Sequence, residues 1–491
     1  MLAHAVPRRM GVLLLLAIAG FLFSRVVFRG VIGFAPDPAI IGGHWQHTSL
    51  VWLHRDVWET LYYLHAQPPG WNALIGAMTA LVGPDAERVA DGVALLFTAL
   101  SIAMMLMLIG LARRAGLAPL AAAAFGLAFA VSPTMLYYEL YPFYPHLTAF
   151  LVTLMLAGFV LADGDGVAPL VAAFAAAAGL CWIWAAFNPA FVLLLAVLAL
   201  VLYPQARSRG VLVSIAAALA ISVAPTLKNK VLLGGDFASS WTGMNLAQTL
   251  PDLDPALREH CRFRTVVEAL ESGQGLPGVA VEPVGIVSVD AMTKPENGKA
   301  NMNNLLVSKR AEACLAIYLD RAAADPWSLL VHLVKRIVVM HTFPPVVYGG
   351  RGVEGWDAEV WIMRLHDRLG PVAQAATALP YVLLLGYGLW RLRRAEGRAP
   401  VTMALGVIVY FTLVTHAANG VEQQRMRVSI EPLYWFLLLV ALADRFGRDA
   451  RRGPPPAGGP PCAEAGGGTV RPSRRRSETP RYRAGSPPDR R

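Results

Sequence analysis

Ten apolar runs separated by polar stretches constrain this chain more than any other feature of it. They occupy residues 10–28, 92–111, 117–131, 147–162, 167–186, 189–202, 211–227, 372–390, 401–414 and 430–443. A bilayer offers no water to satisfy a backbone, so apolar runs of this kind cross it as helices, at roughly 20 residues per crossing. Several runs are shorter than that and must be extended by flanking residues. The composition agrees, with 55% of the 491 residues hydrophobic and only 15% charged. The expected fold is an all-α polytopic membrane protein with about ten transmembrane helices, not a soluble enzyme on one anchor. Arg8 and Arg9 precede the first run and no small-residue cleavage site follows it, which reads as an uncleaved signal anchor.

Arginine placement gives an orientation. Arg8 and Arg9, Arg113 and Arg114, Arg207 and Arg209, the group Arg391, Arg393, Arg394 and Arg398, and the C-terminal tail all fall on one side of a ten-helix arrangement. That side is cytoplasmic by the positive-inside rule. It requires two further apolar stretches, 71–82 and 327–340, to lie on the outer surface as interfacial helices. The first is only a dozen residues, and the second carries Lys335 and Arg336 in its middle. The expected organisation is a membrane domain over 1–227 with a first outer loop at 34–91, an outer subdomain and interfacial helix over 228–345, C-terminal membrane helices over 346–444, and a disordered cytoplasmic tail over 445–491. The tail holds twelve arginines against Asp449, Glu464, Glu478 and Asp489, so it carries most of the +10 net charge. Its Pro and Gly content cannot build a core, and its charge suits anionic lipid; nothing else in the chain supports nucleic-acid binding.

The segment 228–325 has turn signals at 234–235, 273–278 and 295–298 and a helical pattern over 302–319, which reads as a small outer subdomain. Cys261 and Cys314 both fall in it. On an oxidising side they can pair, or each can serve as a small buried apolar residue, and spacing does not choose between these.

The first outer loop is the chemically dense part. Residues 36–74 hold three carboxylates, four histidines, four tryptophans and the turn His65-Ala66-Gln67-Pro68-Pro69. No nucleotide-binding loop or zinc spacing is present, and His44 and His47 lack further ligands nearby, so no metal is expected. The outer carboxylates are Asp37, Asp56 and Glu59, with Glu139 in the aromatic stretch 137–141. One partly desolvated carboxylate can deprotonate a hydroxyl as it attacks carbon. Lys228 and Lys230 follow the seventh run, and Arg425 and Arg427 precede the tenth. Cations at that depth suit a lipid-borne phosphate, or else ordinary headgroup contact by snorkelling side chains. Trp45, Trp52, Trp58, Tyr62, Tyr63, Tyr141 and Tyr144 suit stacking on sugar rings or an interfacial aromatic belt.

Four pieces together resemble the GT-C membrane glycosyltransferases, the group that includes protein O-mannosyltransferases and the aminoarabinose transferases of lipid A. These are Pro36-Asp37 after the first span, the 65–69 turn with a helix behind it, Ser132-Pro133 followed by Tyr138-Glu139, and the basic 112–114 side. The resemblance covers the N-terminal half by motif and the C-terminal half mainly by topology, where residues 422–427 followed by Ile430-Glu431-Pro432 are similar to a late loop of bacterial members. It implies a polyprenyl-phosphate sugar as donor, inversion at the anomeric carbon, and an acidic residue of the first outer loop as base. Carried over, Asp37 is the base. Pro38 stands where family members often have a second acid, so either Glu139 takes the partner role or the site is built differently; a separate alternative makes Asp56 the base and Asp37 only a helix cap. Lys228, Lys230, Arg425, Arg427, His65, Gln67 and Asp56 are the substrate-binding candidates. The implied partners are the polyprenyl-phosphate lipid and a glycan, lipid or protein acceptor, at the outer (periplasmic) face of the inner membrane. Two alternatives stand beside this reading. A lipid-linked sugar transporter would hold ionisable residues inside its spans, whereas here they gather at the ends. A non-catalytic envelope-assembly protein would not need the acidic loop and the outer cations.

Overall fold

A computed structural model of the chain describes residues 8–163, 166–235, 237–250, 252–342, 353–354, 368–394, 397–418 and 423–451. Most of them are helical. Helix α1 (Arg8–Arg25) continues into a π-helical stretch, Val26–Val31, and the first outer loop then folds as α2 (Pro38–Gly43), α3 (Leu50–Arg55), α4 (Val57–Tyr62) and α5 (Pro69–Val82). The next helices are α6 (Ala86–Arg114), α7 (Pro119–Ala130), α8 (Pro133–Leu140), α9 (Pro145–Ala162), α10 (Val167–Ile183), α11 (Pro189–Leu202) and α12 (Arg209–Leu233). The polar segment forms α13 (Thr242–Ala247), α14 (Pro255–His260), α15 (Phe263–Glu271), α16 (Val287–Asp290) and α17 (Leu305–Ala324), with α18 (Pro326–Thr342) behind it. Helices Pro371–Arg391, Arg398–Ala418, Gln423–Val428 and Glu431–Arg451 follow.

Proline starts many of these helices because its fixed φ suits the first turn and its missing N–H is not needed there. Polar caps complete the job: Asp85 accepts from the Arg88 amide, Ser132 from Met135 and Asn188 from Ala190. Every expected apolar run lies on a helix, and the protein is a multi-pass membrane protein. Among the described residues six helices are long and apolar enough to cross a membrane, α7 and α8 make a seventh candidate bent by 49°, and α10 and α11 are shorter. The helix Glu431–Arg451 differs in carrying Glu431 at its start and Asp444, Arg445 and Arg448 near its end, and it runs past residue 445 where the tail was expected to begin. Residues 452–491, and with them most of the expected disordered tail, lie outside the described residues.

Small residues let the apolar helices approach one another, which is how helices associate where lipid removes the hydrophobic drive. A Cβ on Gly158 of α9 would sit 2.5 Å from the Pro169 carbonyl oxygen of α10, so this crossing admits only glycine. Within the compact unit Met1–Gly447 there are two buried clusters. One joins the apolar helices; the other, built on Trp241, Met244, Val266, Met302 and Val307, also takes in Leu64 and Ala66 of the first loop. The second cluster is the core of the polar segment that follows α12. It begins later than the expected residue 228, because α12 runs on through Lys228 and Lys230 to Gly234, whose φ of 74° ends the helix. Cys261 and Cys314 form a disulfide with Cα atoms 5.8 Å apart, which decides the question their spacing left open. Ala35–Pro36 pairs antiparallel with Val353–Glu354, the described stretch between 342 and 368.

Candidate functional site

The 65–69 turn is bonded on every side. The amides of His65 and Ala66 both donate to Asn303 Oδ1, at 2.7 and 3.0 Å, and the Ala66 carbonyl accepts from Ser239 Oγ at 2.6 Å. The His65 carbonyl accepts the Ser240 amide at 2.9 Å, and His65 Nδ1 lies 2.8 Å from Ser240 Oγ. Lys228 reaches the turn from α12, its ammonium donating to the carbonyls of Leu61 and Leu64. Burial first, and then the Lys228 charge, lower the His65 pKa to about 3, so the imidazole is neutral near pH 7.

Two cavities lie back to back across this turn. One, of about 670 Å³, is lined by Gln67, Trp184, Ala185 and Thr226 and by residues of the polar segment after α12. The other is a mainly apolar groove of about 940 Å³ lined by Pro69, Trp182, Ala224, Pro225 and Lys228, with Trp58, Glu59 and Tyr62. Three short stretches of chain, 67–69, 182–186 and 224–228, thus present one residue to one cavity and its near neighbour to the other. The groove holds an ammonium whose third donor is not taken by the two carbonyls. The smaller cavity is the more polar of the two, lined by aromatic rings together with side-chain amides and hydroxyls, although most of its wall is apolar.

A second set of contacts fixes the loop wall of the polar cavity. The buried Lys294 ammonium donates to the carbonyls of Gly42 and His44 at 3.1 and 3.0 Å, and Asn297 Nδ2 donates to Gly42 at 2.8 Å. Glu296 accepts from Ser49 Oγ at 2.7 Å and from the Leu50 amide at 3.0 Å. Between these fastenings lie His44, Trp45 and Gln46, three consecutive lining residues. Burial lowers the Lys294 pKa to about 8, and the adjacent Glu296 opposes that shift.

The sequence candidates separate into distinct places. Asp37 is half-buried at the start of α2, its Oδ1 accepting the Ala39 amide at 2.8 Å, and no partner of Oδ2 occurs among the described residues. It does not line either cavity. Asp56 is an exposed cap of α4 that accepts the Glu59 amide. Glu139 is fully buried and held by Arg25 at 2.6 and 3.0 Å, with Thr98 Oγ1 donating at 3.0 Å. His65, Gln67 and Lys228 are brought together at the turn. Lys230 is exposed on the last turn of α12. Arg427 is buried, with Nη1 donating to the Met340 carbonyl at 2.7 Å, Nε 3.9 Å from Glu431 and the guanidinium 4.3 Å over the Tyr381 ring. The Arg425 side chain lies outside the described residues.

Sequence reasoning missed Arg25, Asn303, Lys294 and Glu296. Arg25 was legible as a charge inside the first span, against the expectation that the spans keep charges at their ends. The other three had no local signal beyond the turn residues around 295–298.

No family model and no curated protein matches the chain. Among solved structures it is similar to the oligosaccharyltransferase of Archaeoglobus fulgidus. The form complexed with zinc and sulfate is 12% identical over 89% of this chain and 51% of that one, with a TM-score of 0.39. The form tethered to an acceptor peptide containing an NVT sequon is 11% identical over 90% and 50%, with a TM-score of 0.41. The AglB complex with an inhibitory peptide and a dolichol-phosphate is 11% identical over 89% and 51%, with a TM-score of 0.37. The chain spans about half the length of these structures, and a likeness of that size assigns no residue a role.

Proposed function

We propose that this chain is a GT-C-type inverting glycosyltransferase that moves a sugar from a polyprenyl phosphate to an acceptor hydroxyl on the outer face of the cytoplasmic membrane. The observation that carries this reading is the pair of cavities across the 65–69 turn. A lipid-linked sugar is half hydrocarbon and half polyol with a phosphate between, and it needs an apolar groove, a cation and a polar chamber in that order. Lys228 stands at the edge of the groove within reach of the turn, so it is the residue we assign to the donor phosphate. Arg427 is already engaged by Glu431 and Tyr381, and the donor grip therefore rests on Lys228 before the other three cations.

The acceptor oxygen bonds to the anomeric carbon as the bond from that carbon to the phosphate oxygen breaks. The electron pair leaves on the polyprenyl phosphate and the acceptor proton passes to a carboxylate. Asp37 is our choice for that base on its place just past the first span: it lines neither cavity, but Asp56 is solvated and Glu139 is tied to Arg25, whereas Asp37 keeps an oxygen without a described partner. The test is sugar release from a labelled polyprenyl-phosphate sugar in membranes carrying the full chain. Asp37→Asn should lower turnover roughly 100- to 10,000-fold with donor affinity little changed, the usual effect of losing a general base. Lys228→Gln should weaken donor binding instead. Full turnover in Asp37→Asn would remove the base assignment, and no acceptor-dependent release by the unmodified chain would remove the enzyme.

A further inference from the structure

The wall of the polar cavity on the subdomain side is an aromatic platform. Trp241 is anchored by its indole N–H donating to the Met302 carbonyl at 3.1 Å. Phe263 packs edge-on against it with centroids 5.3 Å apart, and Trp45 from the first loop stacks on Phe263 at 5.9 Å with planes 23° apart. Trp45 is 39% exposed, so part of its indole is open. Beside it, Gln46 Oε1 is a buried acceptor on the same wall with no partner among the described residues. A buried oxygen left without a protein donor is a place where a water or a ligand donor fits. Gln67 and Asn245 add side-chain amides that can both donate and accept, and Gln248, whose Nε2 donates to the Met244 and Cys261 carbonyls, adds an acceptor. The charged lining residues Arg262, Arg264 and Glu312 are paired with Glu259, Glu268 and Lys309.

We infer that this wall binds an uncharged acceptor glycan, one pyranose face on Trp45 and a hydroxyl donating to Gln46. Sugar hydroxyls donate and accept at once, as amides do, and the axial C–H face of a pyranose is apolar enough to cover an aromatic ring. A charged acceptor would meet side chains whose counter-ions are already in place. This rests on the glycosyltransferase reading only for the word acceptor; the binding itself needs neither donor nor turnover.

The full chain in lipid nanodiscs, free of sugar detergents, is titrated without donor against neutral hexose tetrasaccharides, uncharged serine- and threonine-containing hexapeptides, and a polyprenyl-phosphate sugar. Tryptophan fluorescence reports binding. The tetrasaccharide is expected to bind, Trp45→Leu and Gln46→Leu each to weaken it about 5- to 10-fold, and Trp45→Phe, which keeps a ring, to restore most of the affinity. Peptide binding in place of saccharide, saccharide binding only when lipid-linked, or affinity unchanged in both leucine variants would each overturn the proposal. Glycan binding without any sugar transfer would leave it standing and count against the enzyme reading alone.

Discussion

His65 shows how burial turns a titratable side chain into a structural one. Its ring is enclosed, bonded to Ser240 and close to a lysine, so the charged form is disfavoured and its pKa falls from 6.5 to about 3. The sign of the effect on stability follows from linkage. In the unfolded chain the imidazole takes a proton as pH falls through 6.5, while in the folded chain it stays neutral down to about 3. Stability from this site is therefore complete above pH 6.5 and is lost progressively below it, by roughly 5 kcal/mol at most once titration is finished. Replacing His65 by Gln, which keeps a donor and an acceptor, should flatten the loss of thermal stability between pH 6.5 and 4. An unchanged slope in that variant would mean that other groups set the acid sensitivity. Glu139 makes the complementary case. Its sequence position beside the aromatic stretch suggested catalysis, but its carboxylate is shared among Arg25 and Thr98 inside the helical core. Breaking such a pair leaves a buried charge uncompensated, so substitution at Glu139 is expected to act through folding before it acts through chemistry.

At the scale of elements, what was legible in the sequence is what is local. Apolar runs gave the helices, and Pro38, Pro69, Pro133, Pro145 and Pro189 marked where helices begin, because both signals need only neighbouring residues. The bend between α7 and α8 was hidden, since Leu117 to Val131 reads as one apolar run and Pro133 then restarts the helix. The fastening of the first loop was not legible at all. Ser49 and Glu296 stand 247 positions apart, and the partners Arg25 and Glu139 stand 114 apart, so no window of sequence contains either pair. The disulfide belongs at this scale too. Cys261 immediately precedes Arg262 and Phe263, and Cys314 sits between Glu312 and Leu315, so the bond ties two strips of the same cavity wall together. Closing a loop of 53 residues should contribute about 4 kcal/mol, much of it by limiting the unfolded subdomain. Reduction, or the double change Cys261→Ser with Cys314→Ser, should raise protease cutting within residues 255–290 while the apolar helices stay intact. Equal cutting with and without the bond would show that packing of α13 on α17 suffices alone.

For the whole molecule the question is which side of the membrane each part occupies, and counting crossings bears on it more than any single helix does. If α1, α6, the α7 and α8 pair, α9, α10, α11 and α12 each cross once, the subdomain after Leu233 lies opposite the N-terminus. The two shorter helices, α10 and α11, do not threaten this result, because removing both leaves the parity unchanged. Helices Pro371–Arg391, Arg398–Ala418 and Glu431–Arg451 then return the chain to the starting side. Two independent chemical facts favour the subdomain being outside. Its disulfide belongs in an oxidising compartment, and the arginine-rich ends, Arg113 with Arg114 and Arg391 with Arg393 and Arg394, then all face the cytoplasm. A reporter inserted after Ala280, in the exposed loop between α15 and α16, tests this without disturbing a core. An enzyme that matures only outside should be active there, and one that works only in the cytoplasm should be silent. The opposite pattern would put the groove, Lys228 and the polar cavity on the cytoplasmic side, where the donor of the proposed transfer would have to be presented from the other leaflet.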